Sequence, residues 1–314
     1  MEKKILIVDR VHESLVESLT QQGYKCEVNR ELSHEDYVSL PDDCVGLIIR
    51  SRFVVDESAI LSKPSMKFIV RIGSGVENID TKFAESHNIQ VLSTPEGNAP
   101  SVAQHALGLL LAALKNIAVS DKEVRRGDWL REKNKGREIG SLTVGIIGYG
   151  HTGPAFAQIL KPFGCKIYAY DKFKKGFGTD EIIETSLETL CNECDVISIH
   201  INYMPENHYL IDKKFINQVK HPFIFINTCR GLVVNTHDLV EGLKAGKVQY
   251  ACLDVLEYES VRLKNAPKEE WQEPMQALAL MDNVVLTPHI AGQTTDAERR
   301  HAAVAVQKIL EVMR

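Results

Sequence analysis

The chain has 314 residues, enough for two domains of ordinary size, with a globular balance of 44% hydrophobic and 25% charged residues. Its formal net charge of −5 argues against a nucleic-acid partner, because nucleic-acid binding needs a basic face. No apolar run reaches the roughly 20 residues that span a bilayer, and the N-terminus lacks a signal-peptide pattern. We therefore expect a cytoplasmic protein without a membrane partner.

The predicted elements alternate between strands and helices along most of the chain. The predicted strands are residues 4–8, 46–49, 68–71, 90–92, 143–147, 166–170, 196–200, 223–227, 250–254 and 284–287. Several are unbroken β-branched runs, which is typical of strands buried on both faces of a parallel sheet. Helices are predicted at residues 101–118, 154–161 and 237–245, and the polar stretch 259–281 is expected to be a connection with short helical pieces. The pattern predicts an α/β fold of two Rossmann-like, doubly wound parallel-sheet domains with a cleft between them.

Seven cysteines are scattered along the chain, and their odd number argues against a disulfide framework. Cys191 and Cys194 form a C-x-x-C pair, a spacing that also occurs in redox and zinc sites. No second Cys/His pair has zinc spacing, and this pair lies in a helix-like stretch that precedes a predicted strand. We therefore interpret both cysteines as ordinary structural residues and predict no metal site.

A glycine-rich turn follows the predicted strand at residues 143–147. Gly148, Gly150 and Gly153 form G-x-G-x-x-G before a predicted helix, and Asp171 follows the next strand. In such a unit the glycines allow a tight turn, the approach of a pyrophosphate and close helix packing, and the helix N-terminus binds phosphate. The carboxylate of Asp171 would bind ribose hydroxyls and repel a 2′-phosphate. Because all these parts occur in one unit, NAD is the predicted cofactor, while two neighbouring lysines leave use of NADP open.

Polar side chains also follow three predicted strands further along the chain. Arg230 comes after one strand, Asp254 ends the next with Glu257 and Glu259 close behind, and His289 follows a third. Ligands of open α/β sheets bind at the carboxyl ends of the strands. These residues supply a cation for a substrate carboxylate, a general base near neutral pH and an acid that tunes the base. The set therefore predicts oxidation of a hydroxy acid beside NAD.

With these motifs the chain resembles the D-isomer-specific 2-hydroxyacid dehydrogenase family. The matching segments, in the family's order, are RIGSGVENID at residues 71–80, NAPSVAQH at 98–105, the glycine turn at 148–153, NTCRG at 227–231, DVLEYE at 254–259 and TPHIAG at 287–292. The resemblance covers nearly the whole chain. It implies a substrate-binding, flavodoxin-like domain of residues 1–98 and 288–314, and an NAD-binding Rossmann domain of residues 99–287.

The resemblance also implies roles for single residues. His289 would take the hydroxyl proton during oxidation, Glu259 would hydrogen-bond His289 and favour its imidazolium form, and Arg230 would bind the carboxylate. The implied NAD-binding residues are Gly148, Gly150, His151, Thr152, Gly153, Asp171, Ile201, Thr228, Cys229, Arg230, Asp254, His289 and Gly292. The implied substrate-binding residues are Arg50, Arg52, Ser74, Gly75, Arg230 and His289. Glu259 is preferred over Glu257 because it lies five residues after Asp254, as in the family motif.

A homodimer is a further implication of the resemblance, built through the NAD-binding domain and the helix that starts near Ser101. Apolar residues recur at helical spacing in that predicted helix, at Val102, Ala106, Leu109, Leu110 and Ala113. A dimer interface and an ordinary core face both predict this pattern.

The identity of the substrate depends on fewer residues. Arg50 and Arg52 resemble the phosphate-binding positions of some 3-phosphoglycerate dehydrogenases, and the alternative is that one or both point to solvent. Because the chain stops at Arg314, a short-form 3-phosphoglycerate dehydrogenase is the first expectation. Glyoxylate or hydroxypyruvate reduction, D-lactate-type oxidation and a non-enzymatic, corepressor-like NAD sensor are the alternatives. Ser260 and Asn202 stand where the family usually has proline, which puts local loop geometry and substrate shape in question.

Overall fold

The structure is a computed structural model, and it describes residues 3–259 and 271–314. Residues 260–270 of the predicted connection at 259–281, with Ser260 and Pro267 among them, therefore lie outside the described residues. The last part of that connection is described, and it contains a helix that begins at Glu273.

Two compact units make up the chain. One unit consists of Met1–Ala99 together with Gln293–Arg314, and the other is Pro100–Gly292. The domain boundaries predicted from the sequence, after residues 98 and 287, lie one and five residues before those of the units. The assignment of substrate binding to one unit and of NAD binding to the other stays a prediction at this point.

The described helices and strands alternate along most of the chain. The strands are β1 (Lys3–Ile7), β2 (Tyr24–Val28), β3 (Cys44–Ile49), β4 (Phe68–Arg71), β5 (Gln90–Ser93), β6 (Thr143–Ile147), β7 (Lys166–Tyr170), β8 (Ile182–Glu184), β9 (Val196–Ile199), β10 (Phe223–Asn227), β11 (Val248–Leu253) and β12 (Val284–Leu286). The helices are α1 (Glu13–Gln21), α2 (His34–Ser39), α3 (Glu57–Leu61), α4 (Thr81–Ser86), α5 (Pro95–Leu114), α6 (Ile117–Arg125), α7 (Thr152–Leu160), α8 (Leu187–Glu193), α9 (Lys213–Gln218), α10 (Thr236–Lys244), α11 (Glu273–Leu280) and α12 (Thr295–Val312).

The strands form one parallel sheet in each unit. The first sheet has five strands in the order β2-β1-β3-β4-β5, and the second has seven in the order β12-β11-β10-β9-β6-β7-β8. Every pairing between neighbouring strands is parallel. This confirms the predicted fold of two Rossmann-like parallel-sheet domains. In the second sheet the order reverses between β6 and β9, and such a switch point is where open α/β sheets bind ligands.

Burial explains why these segments are strands. The central strands β6 and β9 consist mostly of β-branched residues, and Ile146, Ile147, Ile197 and Ile199 are at most 2% exposed. Helices cover both faces of a parallel sheet, so its strands need apolar side chains on both faces. Several helices begin at a side chain that accepts a backbone N–H, at Ser33, Asp56, Asp80, Ser186, Asp212, Asn235 and Thr294.

Two strands were not predicted, and both lie at the edge of a sheet. In β2 the polar residues Lys25 and Glu27 alternate with less polar ones, and the strand is only partly buried. The strand β8 has only three residues, Ile182–Glu184. Edge strands need fewer apolar residues than central ones, so the continuous apolar runs that reveal a buried parallel strand do not occur here.

The helix predicted at residues 101–118 is wrong in its bounds, because two helices replace it. The helix α5 already begins at Pro95 and ends at Leu114, and Asn116 has a φ of 51°, in the left-handed region that stops a helix. The apolar residues at helical spacing are all at most 6% exposed: Val102, Ala106, Leu109, Leu110 and Ala113. Four of them pack in the same core as β6. This face of α5 therefore belongs to the chain's own core.

Among the described helices, none alone combines the length and apolar character that a bilayer crossing requires; α5 and α6 together meet that test by length and composition, with a bend of 58° between them.

Candidate active site

The glycine turn after β6 has two positions with no room for a side chain. Gly148 has a φ of 97°, in the left-handed region, and a Cβ there would lie 2.3 Å from the carbonyl oxygen of His200. A Cβ on Gly153 would lie 2.0 Å from the carbonyl oxygen of Gly148, so only glycine lets α7 pack so close to the strand. A Cβ on Gly150 would meet nothing within 4 Å. The backbone of the turn is therefore open to a pyrophosphate.

The N-terminus of α7 lies directly after this turn. The helix begins at Thr152, and the side chain of His151 does not cap it. The first N–H groups of a helix have no partner within the helix, and they form the positive end of its dipole. The backbone of His151 and Thr152 therefore lies where a phosphate group is favoured.

Asp171 follows β7, the strand next to β6 in the sheet. Its carboxylate accepts hydrogen bonds from the backbone N–H groups of Tyr149 (2.7 Å), Phe173 (2.8 Å) and Lys174 (2.8 Å). Burial by itself raises the pKa of Asp171, but the three N–H donors and the charge of Lys175 together outweigh it, so the pKa lies below its ordinary value. An ionised carboxylate beside the glycine turn suits a ribose diol and opposes a 2′-phosphate.

Thr228 adds a polar atom that needs a partner. It lies in the turn after β10 and is 8% exposed, and its buried hydroxyl oxygen has no hydrogen-bond partner within the described part of the chain. Buried polar groups are rarely left unsatisfied in proteins. Ile201 follows β9 and lies against the glycine turn, since its Cγ2 would be 2.7 Å from a Cβ on Gly148. The open turn, the carboxylate of Asp171 and this hydroxyl together fit NAD.

His289 follows β12 and is paired with a carboxylate. Its Nδ1 lies 2.7 Å from Oε2 of Glu259, and the two side chains are 32% and 22% exposed. The other carboxylate oxygen of Glu259 accepts a hydrogen bond from the backbone N–H of Leu256. Because Nδ1 faces a carboxylate, it carries a proton, and Nε2 is the ring nitrogen that can exchange a proton with a ligand.

Glu257, the alternative partner of the histidine, is bound elsewhere. One of its carboxylate oxygens accepts a hydrogen bond from the hydroxyl of Tyr209, and the other accepts one from the backbone N–H of Thr236 at 2.8 Å. The bond to Glu257, followed by burial, raises the pKa of Tyr209 to about 12. The structure therefore brings Glu259 to the histidine and uses Glu257 to hold neighbouring segments together.

Asp254 holds the turn that carries the histidine. This carboxylate is completely buried, and it accepts hydrogen bonds from the Thr287 hydroxyl (2.6 Å) and from the backbone N–H groups of Ile290 (2.9 Å) and Ala291 (2.8 Å). His105 Nε2 lies 3.3 Å away. Burial alone raises the pKa of Asp254, but these donors outweigh it and hold the pKa below its ordinary value. Its predicted contact with NAD stays a prediction.

Arg230 lies in the turn after β10. Its guanidinium donates to the carbonyl oxygen of Cys229 at 2.7 Å. The buried Asn227 fixes this turn, because its amide donates to the carbonyl oxygen of Arg230 at 3.0 Å and its own oxygen accepts the N–H of Cys229 at 3.0 Å. A Cβ on Gly231 would lie 1.9 Å from the carbonyl oxygen of Leu256. The turn that carries Arg230 therefore packs against Leu256, three residues before Glu259.

In the other unit, Asp9 organises the turn after β3. One of its carboxylate oxygens accepts the backbone N–H groups of Arg50, Ser51 and Arg52 at 2.6, 3.0 and 3.1 Å. The guanidinium of Arg52 donates to the carbonyl oxygen of Val8 at 3.2 Å and lies 3.7 Å from Asp9. The guanidinium of Arg52 is therefore bound just after β1. The charge of Arg50 instead acts on His301.

The turn after β4 carries Ser74 and Gly75, whose N–H groups are predicted to bind a carboxylate. Gly73 begins it with a φ of 129°, and a Cβ there would lie 1.7 Å from a guanidinium nitrogen of Arg71. The hydroxyl of Ser74 donates to the side-chain oxygen of Asn98 at 3.0 Å. The turn is therefore fixed on both sides by contacts within its own unit.

Four residues hold the predicted ones in place and were not predicted: Asp9, His105, Asn227 and Thr287. Three of them, His105, Asn227 and Thr287, lie inside the motifs that carry the family resemblance, so the sequence contained a signal for them. Asp9 was detectable only as an acid at the end of a predicted strand. The partners of Asn227 are two and three residues away, whereas those of Asp9, His105 and Thr287 are distant in sequence and come together only in the fold.

Cys191 and Cys194 are both buried. Burial raises the pKa of the two thiols to about 11 and about 12, which disfavours the thiolate that redox or zinc chemistry needs. Within residues 3–259 and 271–314, no group of three or more His, Cys, Asp or Glu side chains could hold a metal ion.

Comparison with known proteins gives a family match and close relatives. Residues 107–291 match the family model described as D-isomer specific 2-hydroxyacid dehydrogenase, NAD binding domain. A hydroxypyruvate reductase of Thermotoga maritima is 36% identical over 91% of this chain and 90% of its own length. A D-3-phosphoglycerate dehydrogenase of Archaeoglobus fulgidus is 32% identical over 98% of the chain, which spans 57% of that protein.

A solved structure supports the same comparison. The D-lactate dehydrogenase of Aquifex aeolicus, crystallised with NAD and lactic acid, has a TM-score of 0.82 and 26% identity. The alignment covers 99% of this chain and 95% of that one. The fold of the chain and its NAD-binding domain therefore have relatives with the same arrangement of elements.

Proposed function

Because the chain belongs to the D-isomer-specific 2-hydroxyacid dehydrogenase family, we propose that it transfers a hydride between C2 of a D-2-hydroxy acid and NAD. The observation that carries the proposal is the 2.7 Å contact between His289 Nδ1 and Glu259 Oε2 at the end of β12. A histidine held by a carboxylate is the acid–base group that alcohol oxidation requires.

His289 moves the proton of the reaction. During oxidation its Nε2 accepts the hydroxyl proton of the substrate, and during reduction it returns a proton to the oxygen at C2. Glu259 keeps the other proton on Nδ1 and stabilises the imidazolium that forms, since the carboxylate lies beside that nitrogen. Asp254 acts indirectly, because it holds the turn that carries the histidine.

Arg230 binds the substrate carboxylate and polarises the oxygen at C2. A guanidinium can hold a carboxylate with two parallel hydrogen bonds, which fixes its orientation. The backbone N–H groups of Ser74 and Gly75 bind the same carboxylate. Asn227 supports this role, because it holds both ends of the turn that presents the arginine.

The glycine turn, Asp171 and Thr228 hold the cofactor. When bound, NAD+ would supply the acceptor for the hydride from C2, and NADH would supply the hydride for the opposite direction. Gly148, Gly150 and Gly153 with His151 and Thr152 bind the pyrophosphate, and Asp171 binds the adenosine ribose. Ile201, Cys229, Asp254 and Gly292 complete the set proposed to contact the cofactor.

The first candidate substrate is 3-phosphoglycerate, an acid with a second anionic group. Arg50 supports this choice, because its backbone is fixed by Asp9 and its charge belongs to a group of arginines in its unit. The relative from Archaeoglobus fulgidus supports it as well. Hydroxypyruvate is the second candidate, favoured by the relative from Thermotoga maritima, whose length this chain covers to 90%.

The proposal is tested with His289→Asn. The wild-type chain should oxidise NADH with phosphohydroxypyruvate or hydroxypyruvate, and the variant should lose at least about 100-fold in kcat because it has no general acid–base group. Binding of NADH, measured by fluorescence titration, should be unchanged.

A matched pair of glutamate variants controls this experiment. Glu259→Gln should lower kcat and shift the pH dependence of kcat/KM, while Glu257→Gln should leave the pH dependence as it is, since Glu257 contacts Tyr209 and Thr236. A wild-type chain that binds NADH but reduces no 2-keto acid of a broad panel would contradict the enzyme and favour an NAD sensor.

We also propose a homodimer in the cytoplasm. All seven cysteines are free thiols, which suits a reducing compartment. Exposed large apolar side chains are concentrated in α6 and the segment that follows it: Ile117 (54% exposed), Val124 (49%), Trp129 (74%) and Leu130 (45%). Exposed apolar groups of this kind are typical of surfaces that bind another chain. This surface, and not the buried face of α5, is the proposed dimer contact.

A further inference from the structure

A short chain of hydrogen bonds lies behind the turn that carries Ser74 and Gly75. The backbone N–H of Gly73 donates to the hydroxyl oxygen of Thr94 at 2.8 Å, and the backbone N–H of Thr94 donates to the carbonyl oxygen of Gly73 at 2.8 Å. The same hydroxyl lies 2.7 Å from Nδ1 of His301 in α12. Gly73 and His301, which are far apart in sequence, thus both contact the hydroxyl of Thr94.

The hydrogen of that hydroxyl bears on which nitrogen of the imidazole carries a proton. The Thr94 oxygen already accepts the N–H of Gly73, and the described residues offer its hydrogen no acceptor other than His301 Nδ1. Thr94 is completely buried and His301 is 5% exposed, so solvent does not compete. A neutral imidazole with its proton on Nε2 leaves Nδ1 to accept this hydrogen and to complete the chain of bonds.

The surroundings of His301 favour that neutral form. Burial, with the charges of three arginines, lowers the pKa of His301 to about 4, although a hydrogen bond to the backbone of Thr94 acts in the opposite direction. The charged groups of the neighbouring elements are Arg50 after β3, Arg71 in β4, Arg300 in α12 and the Glu96–Lys308 pair at 2.8 Å between α5 and α12. The imidazole therefore remains an acceptor at neutral pH.

The fit around the ring is tight. A Cβ on Gly97 would lie 2.4 Å from Nδ1 of His301, so glycine is required for the ring to reach Thr94. Arg300, next to the histidine, donates to the carbonyl oxygen of Gly97 at 2.9 Å. These contacts fix α12 against the start of α5 and set the distance between the ring and the hydroxyl.

We propose that His301 is a positioning residue, which acts through Thr94 on the amide of Gly73 and so holds the Ser74–Gly75 turn in the conformation that binds the substrate carboxylate. The proposal rests on the proposed function, in which the N–H groups of that turn bind the carboxylate. His301 touches neither the substrate nor the cofactor. Its effect should therefore appear in substrate affinity and not in the chemical step.

The test compares His301→Leu with His301→Asn. The side-chain oxygen of asparagine can replace Nδ1 as the acceptor, whereas leucine fills space without one. For the 2-keto acid, His301→Leu should raise KM at least about 10-fold with little change in kcat, and His301→Asn should stay within about 3-fold of wild type. The affinity for NADH should be the same in all three proteins.

A second pair of variants changes Thr94 instead of His301. Thr94→Val should raise KM as His301→Leu does, and Thr94→Ser should keep the wild-type value, since serine retains the hydroxyl. This pair gives the same test if the leucine variant fails to fold. Equal KM values for His301→Leu and His301→Asn, or for Thr94→Val and Thr94→Ser, would overturn the proposal.

Hydrogen exchange provides a readout that does not depend on activity. The peptide that covers residues 70–76 should exchange faster in His301→Leu than in wild type, and the asparagine variant should restore protection. Unchanged protection in the leucine variant would overturn the positioning role even if catalysis changed. A wild-type chain without activity on any 2-keto acid would contradict the proposed function, while the exchange experiment would still decide the role of His301.

Discussion

His289 has a φ of 56°, in the left-handed region that residues with a Cβ rarely adopt. Such a conformation costs on the order of 1 kcal/mol or more and persists only where neighbouring contacts enforce it. Here its backbone N–H donates to the carbonyl oxygen of Asp254 at 2.7 Å, and the carboxylate of Asp254 binds the next two N–H groups. The direction of the proposed acid–base side chain is therefore set by a buried aspartate that directly follows β11.

A single residue, Asp171, is also predicted to determine the choice between NAD and NADP. Asp171→Asn removes the negative charge beside the glycine turn, and the ratio of kcat/KM for NAD to that for NADP should fall at least about 10-fold, because the 2′-phosphate is no longer repelled. The ratio is measured with purified protein at a fixed concentration of hydroxy acid. Asp121→Asn, which removes an equal charge from the exposed surface of α6, should leave the ratio unchanged.

An unchanged ratio in Asp171→Asn would contradict the role of Asp171 in repelling the 2′-phosphate. At the residue scale, Glu259 lies beside the histidine, the contact that its position five residues after Asp254 predicts. The spacing could not show that Arg52 binds Val8 and Asp9, since those contacts join separate strands.

At the scale of elements, the strand–turn–helix unit of β6 and α7 depends on close backbone contact. The absent side chain of Gly153 lets the helix approach the carbonyl oxygen of Gly148. This contact was predictable, because the glycine spacing is the signature of the unit. The end of α5 was not predictable, because Asn116 takes a left-handed conformation in a sequence that otherwise continues to favour a helix.

The same substitution in two helices should have opposite effects. Gly153→Ala places a Cβ 2.0 Å from a backbone oxygen, so NADH affinity should fall at least about 10-fold and the protein should be destabilised. Gly108→Ala in α5 meets nothing within 4 Å and should stabilise the protein by about 0.5–1 kcal/mol, because alanine favours helix. Urea unfolding and NADH titration of both variants measure this. Similar effects of the two changes would contradict the close packing of α7.

At the scale of the whole molecule, each unit builds its own parallel sheet and its own apolar core. The apolar face of α5 packs within the chain, and the exposed surface of α6 and the following segment is the proposed contact with a second copy. Glu123, which is 2% exposed, pairs with Lys133 at 2.7 Å and ties that segment to α6. Trp129 lies within the tied segment and is 74% exposed.

A dimer is predicted from the exposed apolar surface of α6 and the segment that follows it. Light scattering should give twice the chain mass of 35.2 kDa for the wild type, and Trp129→Glu should shift it to the monomer, because a charge in an apolar interface is costly. Leu280→Glu changes a side chain that is equally exposed, at 77%, in α11, and it should leave the mass unchanged. A wild-type monomer at micromolar concentration would contradict the dimer.

The sequence by itself determined the α/β class, the dinucleotide unit and the candidate catalytic residues, because each depends on local spacing: buried strands on apolar runs, the glycine turn on three positions, and the strand ends on the residues that follow them. Tertiary structure alone decided the edge strands, the partners of Arg52 and Asp254, and the link from His301 through Thr94 to Gly73. Those features depend on contacts between residues distant in the chain, and such contacts are fixed only when the sheets and helices pack.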